Sequence, residues 1–150
     1  MSSQHGFVVI DKPSGITSHD VVARLRKKLG TKQIGHAGTL DPMATGVLVL
    51  GVNNATKFLD YIVQGRKRYR GIIRLGQSTT TDDRESEVIS SASPLHITED
   101  EISSELGKLV GTIMQAPSSV SAIKVDGRRA YDRVRSGEKV DLPEIGRAHV

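Results

Sequence analysis

The residues best placed to do chemistry lie in one loop, Gly35-His36-Ala37-Gly38-Thr39-Leu40-Asp41-Pro42-Met43-Ala44-Thr45-Gly46. No Gly-Lys-Ser/Thr closes it, so it is not a P-loop, and its glycine spacing is wrong for a dinucleotide fingerprint. What it offers is a single carboxylate, Asp41, on a tight turn with His36 five residues earlier. Pro42 fixes the chain behind Asp41, and Ala44 and Gly46 leave room for something to approach the backbone closely. A lone carboxylate of this kind can serve as a nucleophile or as a base, with a partner from another segment. Asp-Pro is equally an ordinary turn dipeptide, and spacing alone leaves both readings open. In and around the loop no pair of histidines or carboxylates has metal-ligand spacing, and no hydroxyl nucleophile has a plausible histidine partner.

Basic residues fall in three blocks, 24–32, 66–74 and 124–139, whereas 82–105 holds eight acids and one arginine. Such a distribution suggests a sided surface for a polyanion, although each block alone also reads as a solvated face. Tyr69 stands inside the second block, in Arg66-Lys67-Arg68-Tyr69-Arg70, where a ring can stack on one base while its neighbours hold phosphates. A half-buried strand tyrosine would show the same pattern. With only five aromatics and no tryptophan, the chain is not a multi-base stacking platform.

These residues need elements to position them. Gly6–Asp11 is predicted to be a strand, stopped by Lys12-Pro13-Ser14-Gly15. Ser18 is predicted to cap a helix carrying Val21, Val22, Leu25 and Leu29, which closes at Gly30. Residues 35–46 are expected to be loop, and Val47–Val52 a buried strand. Asn54–Val63 reads as a short helix with Phe58, Leu59 and Ile62 inward. Lys67–Leu75 is expected to be a strand with Tyr69, Gly71, Ile73 and Leu75 on one face. A strand at Val88–Ile89 precedes a capping box at Thr98 and Glu101, whose helix should run to Gly111. Ala116–Ser119 reads as a turn, Val120–Val125 as a strand, Asp126-Gly127 as a hairpin turn, and Arg129–Ser136 as a basic helix closing at Gly137. Strands mixed with a few helices, without βαβ alternation, predict an α+β fold with a mixed, largely antiparallel sheet and flanking helices.

The 150 residues are one domain's worth of chain, 37% hydrophobic and 25% charged, with net charge +4. That is too apolar for a disordered tail, and no apolar run reaches the roughly 20 residues of a membrane span. The N-terminus lacks a signal-peptide pattern. The absence of cysteine excludes disulfides and thiolate chemistry and makes a structural zinc site improbable. A cytoplasmic location is expected.

Four stretches, in order, resemble the TruB family of tRNA pseudouridine synthases: Asp11-Lys12-Pro13-Ser14-Gly15-Ile16-Thr17-Ser18, then the loop Gly35–Gly46 with Val47-Leu48, then Lys67-Arg68-Tyr69 with Leu75-Gly76, then Pro117–Lys124 running to Arg129-Ala130-Tyr131. The resemblance covers residues 6 to about 143. It implies an isomerase that converts a uridine in the T-loop of tRNA (position 55) to pseudouridine with no metal and no cofactor. It further implies that Asp41 is the nucleophile, that His36 packs where the target base is flipped out, and that Tyr69 stacks against that base. Lys12, Arg68, Lys124, Arg128 and Arg129 are expected to contact RNA, and Pro117–Gly137 to match a loop that closes over it. The implied partner is the tRNA T-arm, met by a monomer when the protein is complete, with no membrane involved.

The family's chain continues further, with a Gly-Thr-Tyr-Ile-Arg-type motif whose arginine pairs with the nucleophile and a C-terminal RNA-binding region. This sequence is therefore read as a partial catalytic domain, 1–143. The heptapeptide Glu144-Ile145-Gly146-Arg147-Ala148-His149-Val150 departs from the family's basic strand and reads as artefactual sequence, the translation of an adapter oligonucleotide. Two rival readings follow: a non-catalytic RNA-binding fragment of such an enzyme, and a paralogue acting on another structured RNA.

Overall fold

The computed structural model describes residues 4–117, 124–125, 127–130, 133, 136, 138, 140 and 142–149. The chain divides into two compact units, Met1–Arg70 and Gly71–Val150.

The first unit runs β1 (Gly6–Lys12), α1 (Ser18–Leu29), β2 (Ile34–His36), β3 (Gly46–Val52), a 3-10 turn (Asn53–Phe58) and α2 (Leu59–Val63). Its sheet has the order β1-β3-β2, antiparallel throughout. Register places Val8 opposite Leu50, Ile10 opposite Leu48 and Ile34 opposite Val52. Side chains alternate across a strand, so this register turns one apolar row towards α1. Val21 and Val22 of α1 meet Ile34, Leu48, Leu50 and Val52 in the core, with Ile16, Leu25 and Leu40 packed against them. Each such side chain fully buried contributes about 1.5–3 kcal/mol.

The helix begins one residue earlier than its sequence suggests. Thr17, not Ser18, is the cap: its Oγ1 accepts the Asp20 N–H at 3.0 Å, and Asp20 Oδ2 accepts the Thr17 N–H at 2.8 Å. Two hydroxyl residues stand side by side, and the one three residues before Asp20 completes the reciprocal box. Ser18 becomes the first helical residue with its side chain buried. The helix ends at Gly30 in a left-handed conformation, as expected.

On the other face of the sheet, Gly35 of β2 and Gly51 of β3 stand opposite each other. A Cβ on Gly51 would lie 3.0 Å from backbone atoms of Ala55 and Thr56, and one on Gly35 would lie 3.1 Å from Leu59 Cδ1. The paired glycines form a notch that seats the 3-10 turn and the start of α2. Only the second half of the expected helix 54–63 is α-helical. Leu59 is buried and Ile62 half-buried, but Phe58 is exposed and stacks on Tyr61 with ring centroids 6.4 Å apart.

The expected strand at Lys67–Leu75 is absent. Residues 66–74 are exposed and join no ladder among the described residues, and Ile72 is 99% exposed. Alternation describes a surface that a strand could present, but without a partner there is no ladder to hold it.

The second unit has β4 (Gln77–Thr79) paired with β5 (Val88–Ser91), α3 (Glu99–Gly107), β6 (Gly111–Gln115), β7 (Lys124–Val125), β8 (Arg128–Arg129) and β9 (Ile145–His149). The capping box at Thr98 and Glu101 forms as expected. The helix stops at Gly107 rather than Gly111, because Gly111, at φ 90°, opens β6 instead. β7 and β8 pair across the two-residue connection 126–127, with Val125 opposite Arg128. Within the heptapeptide 144–150, Ile145–His149 forms β9 antiparallel to β6, Ile145 opposite Gln115 and His149 opposite Gly111. The expected turn Ala116–Ser119, strand Val120–Val125 and helix Arg129–Ser136 fall partly outside the described residues. Every described strand pairing is antiparallel, and the class is α+β. No described helix is long and apolar enough to cross a membrane.

Candidate active site

Asp41 sits at the exposed start of a turn, Asp41-Pro42-Met43-Ala44, closed by the Ala44 N–H donating to Asp41 O at 3.0 Å. Proline at the second position presets this geometry. Gly38 (φ 110°) and Gly46 (φ 113°) bracket the loop in backbone conformations that side-chain-bearing residues rarely adopt. The bare loop would have many conformations, yet this one is fastened on both sides of the aspartate by the segment between β1 and α1.

Before Asp41, the buried Ser18 Oγ accepts the Leu40 N–H at 2.9 Å and lies 3.2 Å from Leu40 O, to which its hydroxyl donates. Leu40's side chain packs on the core cluster. After Asp41, Pro42 O accepts both the Gly15 N–H at 2.8 Å and Lys12 Nζ at 3.2 Å. Ser14 Oγ donates to Met43 O at 3.2 Å. The two motifs, 12–18 and 35–46, are one structure: the first is the scaffold and the second presents the carboxylate.

Lys12 corrects the expectation that it touches RNA. It is fully buried, and its ammonium donates to Pro13 O at 3.0 Å, Ile16 O at 2.8 Å and Pro42 O at 3.2 Å. Three N–H donors meet three carbonyls, which is how an ammonium is tolerated out of water. A phosphate has no access to it.

His36 ends β2 on the same loop, half-buried, with its ring edge-on to His19 at 5.5 Å. Its Nδ1 is buried and has no hydrogen-bond partner among the described residues. Tyr69 is 71% exposed on the extended segment 66–74, and no described hydrogen bond or ring contact ties it to the loop. Arg68 is exposed on the same segment. In the second unit Arg128 donates to Glu138 Oε1 at 3.0 Å, and Arg133 Nε donates to Glu138 Oε2 at 2.7 Å. The Arg133 hydrogen bond, then that of Ser136, holds the Glu138 carboxyl below its usual range. Lys124 and Arg129 face each other in register on β7 and β8, and their side chains lie outside the described set. The described residues contain no cluster of three or more histidines and carboxylates that could hold a metal.

The sequence reading missed Ser18 as part of the site. One signal was available: the pairing of Thr17 with Asp20 releases the next hydroxyl from capping.

The sequence model of the TruB family pseudouridylate synthase, N-terminal domain, matches residues 26–148, and the chain belongs to this family. Among curated relatives, the tRNA pseudouridine synthase B of Arthrobacter sp. (strain FB24) is 62% identical over 137 residues, covering 91% of this chain and 45% of the relative. That of Corynebacterium diphtheriae is 59% identical over 141 residues, covering 92% and 47%. The chain thus spans about half the length of the curated relatives it matches. A solved structure of a Cbf5–Nop10–Gar1 complex is 30% identical at a TM-score of 0.52, covering 79% of this chain and 31% of that one.

Proposed function

We propose that this chain is the N-terminal catalytic part of a tRNA pseudouridine synthase that isomerises a uridine of the T-loop, with Asp41 as its nucleophile. The observation that carries the reading is the fastening of Leu40 and Pro42, which leaves Asp41 exposed between two fixed neighbours in a family member. A uracil in a stacked loop must leave the stack before its glycosidic bond is reached, at a cost of a few kcal/mol. The carboxylate then attacks C1′, or removes a proton from C2′, and the N1–C1′ bond breaks. The base turns, C5 bonds to C1′, the C5 proton is lost to water and N1 gains one from it, so the reaction is an isomerisation that needs no outside donor of electrons or groups.

In this reading His36, whose Nδ1 lacks a partner among the described residues, and Tyr69, whose ring is open to solvent, contact the flipped base. Arg68, Arg128, Arg129 and Lys124 hold RNA phosphates. The partner is the T-arm, and the protein works as a monomer in the cytoplasm.

The test is tritium release from a T-arm hairpin carrying 5-tritiated uridine, using the chain extended to the length of its curated relatives. Asp41→Asn should abolish release and leave hairpin binding nearly unchanged, because the lost step is chemical. Residual activity within about tenfold, or about 1.4 kcal/mol, overturns the assignment. A second reading is a non-catalytic RNA-binding fragment of such an enzyme, favoured by the basic residues Arg68 and Arg128, which are exposed without the rest of a site around them among the described residues; hairpin binding without release by the 150-residue chain, beside release by the extended protein, would select it.

A further inference from the structure

We infer that Ser18 is a positioning residue for the isomerisation, fixing the peptide plane from which the Asp41 side chain departs; the inference rests on the function proposed above. The plane between Leu40 and Asp41 is defined by the Leu40 carbonyl, and the plane before it by the Leu40 N–H. One hydroxyl grips both groups: Ser18 Oγ accepts at 2.9 Å from the N–H and donates to the oxygen, 3.2 Å away. Asp41 begins at the second of these planes, so any swing of the Leu40 carbonyl rotates the base of its side chain. The aspartate's own side chain is exposed and has no described hydrogen-bond partner to correct such a swing.

The fastening on the far side of Asp41 is redundant, and this one is not. Pro42 O is held by Gly15 and by Lys12 together, so either can be lost without freeing it. Leu40 N–H and C=O have Ser18 as their only described polar partner. The hydroxyl is itself well anchored. It sits on the first residue of α1, whose start is set by the Thr17–Asp20 box and whose next turn places Val21 and Val22 in the core. Ser18 therefore transmits the position of the helix and core to the reacting carboxylate. A displacement of about 1 Å at a reacting group can cost about a hundredfold in rate, which sets the scale of the effect.

A hydroxyl that only stabilised the loop would change how many molecules fold, not how fast a bound substrate reacts. The experiment is single-turnover tritium release with the extended enzyme in saturating excess over the T-arm hairpin, since that rate constant reads only competent complexes. Ser18→Ala keeps the helix start, because the cap is Thr17, and removes the grip. The expected result is a rate constant lower by about tenfold to a hundredfold, with hairpin Kd within about twofold of the unsubstituted protein. Thr31→Val serves as the stability control: it removes the Thr31–Asn53 side-chain hydrogen bond in the same unit, away from the loop, and should lower Tm while leaving the rate constant unchanged. If Asp41→Asn is inactive and Ser18→Ala reacts within about twofold of the parent, this inference is overturned and the proposed function stands. The inference is overturned in the same way if Ser18→Ala weakens Kd and keeps the saturated rate. If Asp41→Asn retains the parental rate, both fall together.

Discussion

Replacing Lys12 by methionine tests whether its ammonium is a structural fastener or an RNA contact. Methionine keeps most of the buried stem and removes three N–H donors. Of their three acceptors, Pro42 O retains the Gly15 N–H at 2.8 Å and is not orphaned. Pro13 is exposed, so water replaces the donor at its carbonyl. Ile16 is half-buried and its carbonyl loses a 2.8 Å bond with no described substitute. One under-satisfied buried acceptor costs about 1–3 kcal/mol, and relief of the ammonium's own desolvation offsets part of this. Lys12→Met should therefore destabilise the protein by about 1–2 kcal/mol net, a noticeable fraction of the 5–15 kcal/mol typical of a domain. Urea unfolding of the extended protein, read as a lower midpoint at unchanged slope, measures it. In the same protein, T-arm affinity and its salt dependence should not move. A variant as stable as its parent refutes the fastener, and so does a salt slope reduced by roughly 0.7–0.9, the signature of a lost phosphate contact.

Acidification should loosen α1, because the Thr17 hydroxyl and then the Thr17 N–H hold the Asp20 carboxyl below its ordinary value. The stabilisation is complete above the ordinary carboxylate range and is lost as pH falls through the lowered value; Asp20→Asn should flatten that part of the stability profile, and an unchanged acid limb would show the box to be idle. Among the basic residues, Arg68→Gln should reduce the slope of log K against log salt for T-arm binding by roughly 0.7–0.9. Arg128→Gln should reduce it less, since Glu138 already engages that guanidinium; a larger effect at Arg128 would reverse the assignment. The 150-residue chain alone should release tritium far more slowly than the same chain joined to the C-terminal half of the Arthrobacter relative, and equal multiple turnover by both would show that half to be dispensable.

What the sequence revealed follows what local chemistry determines. Gly6–Asp11 and Val47–Val52 announced themselves as apolar runs bounded by turn residues, and both lie in strands that each run one residue further, Gly6–Lys12 and Gly46–Val52. The Thr98–Glu101 box was legible because cap and third residue lie within one turn. Failures came where a distant partner decides. Lys67–Leu75 alternates like a strand and has none to pair with among the described residues. Lys12 looked like a surface cation in a turn; only the path of Pro13, Ile16 and Pro42 shows three carbonyls converging on it. Asp41 was visible as a lone carboxylate, but the means of holding it was not, because Leu40 and Ser18 are 22 residues apart.

The fastening between segments 12–18 and 40–43 is chemically one-sided. The scaffold contributes two hydroxyls, an ammonium and a backbone N–H, whereas the loop contributes only main-chain atoms: Leu40 N and O, Pro42 O and Met43 O. The scaffold's side chains are thereby committed, and a change at Lys12 or Ser18 is felt at once. Thr39 and Met43 on the loop give no side-chain atom to these bonds, so the path of the chain there does not depend on their side chains. The loop beside the carboxylate therefore has a shape maintained from elsewhere. The direction in which the Asp41 carboxylate leaves the loop is thus decided by residues more than twenty positions earlier in the chain.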